Sequence, residues 1–582
     1  MPDAPPLPVD AATFEVCKNA LYAAAEEMKV VLAKTAYSPI LKVAGDYSCG
    51  LFDTRGEMVA QGPDLPIHLG SMPHAVKAVI QAWERFEPGD VFIHNDPYFG
   101  GSHLPDVNVI TPAFHERTLL GFACVRAHWP DIGSAIPGSY GATTEIYGEG
   151  LRLPPVRLYA AGEINRDVHD LIFANVRTPE ERRGDLRAQL AATHRGVTRL
   201  AELARKHGPA RLLAIMQAVM DYSERMMRAA LRALPDGSGA FEDFCDGDGI
   251  LENGDKEDRP FWIRMRVDKR GDGLGVDFAG TDRQVPGPMN APLNVTASGV
   301  YTAIKMIVDP ANLIPPNSGC WRPVTLRAEP GTVVHAVYPA PVVYANHEIS
   351  HRVCDMLMGA LAGLAPDRVM ACSQGTSAIL ALGGVDPRTG QRYVSYETIK
   401  GGFGARPVKD GINAVASGIS NTMNTPIEIL EMSFPVRVER YELTPDSGGA
   451  GRWRGGLGVD RVWRILGHGT VATFCLERTK SAPFGLHGGG PGAPARVVVV
   501  DPDGAERPAL EKGAIVVPTG AAIRFRAPGS GGYGAAAERD PARLWADVVD
   551  GYVSPAGAQR AYGAADPAAL GCPVCGQAGP AA

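Results

Sequence analysis

The residues best suited to chemistry lie between positions 94 and 131 of the 582-residue chain, where His94, Asp96, His103, Asp106, His128 and Asp131 fall within one short stretch. In His103-Leu-Pro-Asp106 an imidazole and a carboxylate stand three residues apart, and Pro105 stiffens the link between them. Gly100-Gly101, just before, lets the backbone approach another group closely. His128 follows at the end of a predicted strand, so a strand-loop-strand unit would return it beside His103. Neutral imidazoles with one or two carboxylates make a nitrogen and oxygen site for a divalent metal. Asp46 and Asp53 offer further carboxylates upstream. The pattern alone names no reaction: GxSxG and a Walker A lysine are absent.

Other polar clusters are less specific. Asn346-His347-Glu348-Ile349-Ser350-His351-Arg352 precedes an apolar periodic run from Val353 to Leu364 and reads as a helix N-terminal cap with surface charges. Gly401-Gly402-Phe403-Gly404-Ala405-Arg406 looks superficially like a phosphate loop but lacks its Lys-Ser/Thr. Asn421 to Glu431 reads as a backbone-rich pocket wall. Asp246-Gly-Asp248-Gly lacks the spacing of a calcium loop.

The elements that must position these groups are legible from periodicity. Residues 11–36 carry apolar side chains at helical spacing, and a second helix is expected around His74 to Phe86. Val91-Phe92-Ile93 and residues 119–127 read as strands, and 94–106 as a loop. Residues 179–234 form a helical hairpin broken at Gly208-Pro209, and residues 261–278 a β-hairpin turning at Arg270-Gly-Asp-Gly. Residues 430–527 are strand-like and rich in glycine. The expected class is α+β, multi-domain, with mixed sheets, a helical hairpin and a β-rich C-terminal part. The expected segments are an N-terminal α+β metal-site region (1–178), the hairpin (179–240), a β-rich segment (241–340), an α/β segment (341–430), a β-rich domain (431–535), and a C-terminal helix and tail (536–582).

Composition narrows the function classes. With 57 Lys+Arg against 64 Asp+Glu the net charge is −7, and no basic stripe marks a nucleic-acid surface. No apolar run approaches the ~18 residues of a membrane span, and the N-terminus has no signal-peptide pattern, so a cytoplasmic location is expected. Most of the ten cysteines stand alone and read as buried free thiols in a reducing compartment. The exception is Cys572-Pro-Val-Cys575, which reads as a thiol pair on a loose tail; such a pair supplies only two of zinc's four ligands.

Longer motifs carry a resemblance. GDYSCGLFDTRGEMVAQ (45–61), PIHLGSMP (66–73), HNDPYFGGSHLPDVNVITP (94–112), AHWPDIG (127–133), VDFAGTDRQVPGPMNAP (276–292), YETIKGGFGARPVKDG (396–411), NTMNTPIEILE (421–431) and RDPARLWADVVDGYVSPAGAQRAYG (539–563) span nearly the whole chain. In type and order they resemble the hydantoinase B/oxoprolinase family, the HyuB-type subunits of ATP-dependent cyclic-amide hydrolases. The resemblance implies a HyuA-type partner, an actin-like-fold ATPase that phosphorylates the substrate's carbonyl oxygen, and so ATP on the partner subunit of a hetero-oligomer. It implies a divalent metal, zinc or manganese, on Asp46, His103, Asp106 and His128, which adds Asp46 to the residues found by spacing. Phosphorylation makes a poor amide electrophile reactive, and Asp131, His94 or Glu348 are then the candidates to handle protons, Asp131 first. Two other functions stay open: a subunit of a related ATP-dependent ketone carboxylase of the acetone or acetophenone type, and a non-catalytic scaffold. Lys42-Val43-Ala44 and the two histidines of the 346–351 stretch depart from the common pattern. These departures bear on substrate identity.

Overall fold

The computed structural model describes residues 9–62, 64–251 and 258–564. The Cys572/Cys575 pair lies outside them. The α+β class holds: helices and four sheets share the chain.

The first sheet is antiparallel with order β2-β1-β5-β4-β3-β6-β7. Its strands are β1 (Tyr47–Phe52), β2 (Met58–Gln61), β3 (Val91–His94), β4 (Asp106–His115), β5 (Thr118–His128), β6 (Val156–Ala160) and β7 (Glu163–Ile164). The central strands are buried along nearly their whole length, because helices cover them. Helix Ala11–Thr35, capped by Asp10, buries Phe14, Cys17, Leu21, Met28 and Leu32. The expected helical hairpin is present as Pro179–His207 and Pro209–Arg232, broken at Gly208, whose φ is +84°. The helix expected over 74–86 runs instead over Met72–Ala82, with Pro73 accommodated in its first turn.

A four-stranded sheet of order β11-β10-β9-β8 follows, from β8 (Gly237–Cys245), β9 (Phe261–Arg270), β10 (Gly273–Asp277) and β11 (Val324–Arg327). The expected β9–β10 hairpin pairs Arg270 with Gly273. Helices Leu293–Val308 and Ala345–Leu361 come next. The later strands are β12 (Ile379–Val385), β13 (Arg392–Thr398), β14 (Val436–Leu443), β15 (Val459–Ile465), β16 (His468–Cys475), β17 (Arg496–Val500), β18 (Glu506–Pro508), β19 (Lys512–Val517) and β20 (Ala522–Arg526). They make two sheets, β13-β12-β16-β19 and β14-β15-β20-β17-β18, with a core that includes Trp463, Phe474, Val499 and Phe525. This is the β-rich C-terminal part. The chain's end holds two short helices, Pro541–Val549 and Pro555–Tyr562, where one was expected. No helix among the described residues is long and apolar enough to cross a membrane. The cysteines within them are all free and buried.

Candidate metal centre

The antiparallel register of three neighbouring strands gathers the predicted ligands. β4 pairs with β5 so that Asp106 stands directly opposite His128. β1 pairs with β5 so that Tyr47 faces Ala127, and the His128 amide donates to the Asp46 carbonyl at 3.1 Å. Asp46, Asp106 and His128 therefore share one end of the sheet, as cross-strand neighbours do. His103 enters from the turn before β4, closed by the Asp106 amide donating to the His103 carbonyl at 3.1 Å. The tight path depends on glycine: Gly100 has φ +91°, and a Cβ there would stand 2.3 Å from the His74 carbonyl oxygen.

His103 Nε2 lies 3.2 Å and His128 Nδ1 3.6 Å from one Asp106 oxygen, while His68 Nε2 lies 3.5 Å from the other. Ser102 Oγ donates to Asp106 as well, and His68 Nδ1 meets Ser48 Oγ at 2.8 Å. A third imidazole completes the group. Potential ligand atoms of His103, His128 and His347 all lie within 4.8 Å of one another. His347 sits in the first turn of helix Ala345–Leu361. Its Nε2 lies 2.7 Å from Tyr140 Oη and 3.3 Å from Tyr396 Oη; its Nδ1 lies 3.3 Å from Ser377 Oγ. The 346–352 cluster is thus a correction to the surface-cap expectation: the helix starts at Ala345, and every residue from Ala345 to Met358 is buried.

Electrostatics fit a cation site. Burial pushes Asp106 up, but His103, His128 and His68 outweigh it and hold its carboxyl well below the usual range. Asp46, buried beside Asp106, is pushed up to about 6 despite His128 and Lys400. Burial, with His103 and His128 nearby, keeps His347 well below its ordinary value, so it is neutral, the ligating form. His103 Nε2 and His128 Nδ1 have only the Asp106 carboxylate beside them, and His128 Nε2 is buried without a hydrogen-bond partner. Unpaired buried nitrogens are costly unless something coordinates them, and this donor set suits a zinc-like or manganese-like ion. The cavity lined by Asp46, His68, Asp106, His347 and His351 is enclosed, about 10 Å³, room for about one water.

The three residues expected to move protons lie otherwise. Asp131 is ion-paired to Arg177 Nη1 at 2.9 Å and accepts from the Arg177 and Gly133 amides. His94 ends β3, wholly buried, with burial and Arg126 pushing its pKa down to about 3. Glu348 follows His347 but accepts from the Ser377 amide at 3.1 Å, and burial beside Glu477 pushes it up to about 8. Sequence reasoning missed His68, Tyr140, His347 and Tyr396 as site residues. His68 lies inside the PIHLGSMP motif, and His347 stands in a cluster whose polarity reads as a cap. The tyrosines carry no local signal.

Comparison with known proteins agrees along the whole chain. The profile of the family described as hydantoinase B/oxoprolinase matches residues 10–536. The caprolactamase subunit beta of Pseudomonas jessenii is 35% identical over 574 residues, covering 95% of this chain and 96% of that one. The 5-oxoprolinase of Dictyostelium discoideum is 30% identical over 529 residues, covering 90% of this chain but 40% of that longer protein. The crystal structure of the ATP-dependent caprolactamase from P. jessenii superposes with a TM-score of 0.87 at 34% identity, over 95% of this chain and 96% of that one. A nucleotide-free acetone carboxylase shares the fold, with a TM-score of 0.88 at 21% identity over 95% of this chain and 79% of that one. The strand register, the gathered histidines and these end-to-end matches lead to one statement: this chain belongs to the hydantoinase B/oxoprolinase family.

Proposed function

We propose that this protein is the metal-bearing subunit of an ATP-dependent cyclic-amide hydrolase acting on a hydantoin, 5-oxoproline or lactam that a HyuA-type ATPase partner has O-phosphorylated. One observation carries the reading: the buried imidazoles of His103, His128 and His347 bring potential ligand atoms within 4.8 Å of one another around the carboxylate of Asp106, which is held well below its ordinary pKa. A family relative named as a caprolactamase subunit beta supports both the reaction class and a partner subunit.

Asp46, His103, Asp106 and His128 would hold the ion, zinc or manganese. When bound, such an ion polarises carbonyl oxygen and makes water a usable nucleophile near neutral pH. The chain's own residues do the rest. His68 and Ser102 fix the Asp106 carboxylate. Tyr140 and Tyr396 are held well above the ordinary tyrosine value by burial and keep their protons. The Tyr140 and Tyr396 hydroxyls, 3.3 Å apart, are the groups placed to offer a hydrogen bond to a departing amide nitrogen. In this reading they take the task first assigned to Asp131, His94 and Glu348. The enclosed cavity keeps bulk water from the metal site. That same enclosure favours the second reading, a subunit of an ATP-dependent ketone carboxylase, whose chemistry needs a dry site.

Elemental analysis of the purified chain tests the proposal. Near-stoichiometric zinc or manganese in wild type, lost in His103→Ala, is expected; metal-free, folded wild type grown with metals available would overturn it. With partner and ATP, ring opening of hydantoins or lactams supports the hydrolase, and bicarbonate-dependent ketone consumption the carboxylase. Turnover should be abolished in Asp46→Ala and His128→Ala.

A further inference from the structure

We propose that a second pocket, adjoining the metal cavity, recognises the substrate and selects a cyclic amide that carries an acidic group, with Arg406 binding the anion. The proposal rests on the metal-centre reading in taking the small cavity as the destination.

The pocket holds about 560 Å³, within the ~300–1,000 Å³ common for small-molecule sites. Leu69, Met306, Met358, Met370 and Phe403 give it apolar walls. Thioether side chains adapt to a compact ring. Asp64 pairs with Lys29 at 3.2 Å, Lys305 with Asp309, and Arg368 with its exposed neighbour Asp367 at 3.9 Å. Arg406 differs. Among the described residues its guanidinium makes one hydrogen bond, from Nη2 to the Asp410 carbonyl at 3.2 Å, and its Nε is buried without a partner. No carboxylate among the described residues lies within ion-pair distance of it. A half-buried guanidinium facing apolar walls without an anion is costly; a ligand carboxylate or phosphoryl group would remove that cost through a charge-assisted pair. Two more lining groups are buried and partnerless: Ser417 Oγ and Gln61 Oε1. The amide oxygen of Gln61 can only accept, which suits a ring N–H.

The pocket is next to the chemistry. Along residues 64–69, Leu65, Ile67 and His68 line the metal cavity while Asp64, Pro66 and Leu69 line the pocket, and Ser420 lines both. The partition is thin: Ile67 N donates to Ile419 O at 3.0 Å, and Leu65, Ile67 and Ile419 form a small apolar plug. The metal cavity at about 10 Å³ cannot hold a ring, so a substrate seated in the pocket reaches the metal by displacing this plug.

The anion has two sources, an acid group native to the substrate or the phosphoryl group added by the partner. Calorimetric titration of the full chain with 5-oxoproline (ring plus carboxylate), caprolactam (ring alone) and inorganic phosphate separates them. Wild type should bind 5-oxoproline at least about tenfold more tightly than caprolactam, a preference lost in Arg406→Gln and partly restored in Arg406→Lys. Met306→Trp, filling the pocket, should abolish 5-oxoproline binding with melting temperature and metal content unchanged. Arg406-dependent binding of phosphate alone would keep the anion site, assign it to the phosphoryl group and overturn the selection of acidic substrates. Caprolactam binding as tightly as 5-oxoproline with no phosphate binding, an unchanged Arg406→Gln variant, or no anion binding at all would overturn the proposal. Metal content of the same samples keeps the two readings apart. Arg406-dependent binding in a metal-free chain sinks the metal centre alone; stoichiometric metal without Arg406 dependence sinks this pocket alone.

Discussion

The helix Ala345–Leu361 divides two buried polar clusters that obey opposite rules. On one side His347 joins His103 and His128, three imidazoles that share the single carboxylate of Asp106, with His128 Nε2 left unpaired. On the other, Arg352 meets Asp243 at 3.1 Å and also Glu477; Arg478 meets Asp243 at 2.8 Å; and Lys512 meets Glu477 at 2.6 Å. Each charge there has an opposite charge in reach. The second cluster is finished by the protein and ties the helix to β8 and to the segment after β16. The first sets three imidazoles against one carboxylate, with His128 Nε2 unpartnered. A buried polar group that lacks a protein partner is therefore the better guide to function than a buried charge as such.

The largest effect should come from breaking the closed cluster. Arg352→Ala leaves Glu477 and Asp243 buried with one cation fewer, and a loss of roughly 3–5 kcal/mol in denaturant-derived stability is expected. A wild-type-like unfolding midpoint would end the view that this cluster is structural. Next, a saturating divalent metal should raise wild-type stability by about 3 kcal/mol at one hundred times its dissociation constant. His103→Ala should lose that gain in a thermal melt with and without metal; a retained gain would place the ion elsewhere. Smaller still, the volume-conserving His128→Gln in metal-free protein should change stability by about 1–2 kcal/mol, since it keeps most of the buried volume and loses chiefly the contact of Nδ1 with Asp106 at 3.6 Å. A large loss would mean His128 is held by the protein after all. The smallest effect is on acidification. Burial raises Asp243, but Arg478 and Arg352 outweigh it and hold it below its ordinary 3.8. Its contribution is therefore complete above about pH 4 and is lost as pH falls through the lower folded value. Stability measured from pH 5 down to 3 should begin to fall only at the acid end; a decline already under way at pH 5 would assign the acid sensitivity to other groups.

Legibility tracked locality. The strand over 119–127 was readable from its apolar run, and with it a strand-loop-strand return of His128 beside His103; that the pairing strand is Asp106–His115, with Asp106 opposite His128, came from the structure. The helical hairpin was readable from 3.6-residue periodicity broken at Gly208-Pro209. The 346–352 stretch misled because polarity suggests exposure, whereas here the polar side chains of one buried helix are divided between two polar clusters. Asp131 misled because closeness in sequence to His128 was taken for shared work, and Arg177, 46 residues on, claims its carboxylate.

The amino-acid sequence by itself determined the family and the α+β class, since periodicity and motif order are carried by local stretches, and it named Asp46, His103, Asp106 and His128 as candidate ligands. Only the tertiary structure decided which groups were left without partners. His347 and Tyr396 reach the site from positions 219 and 268 residues after His128, and Arg406 stands without an anion beside a pocket built from residues 61 to 421. Pairing of buried charges is a property of the packed interior, where each desolvated group must find its partner in space, and sequence distance carries little information about that search.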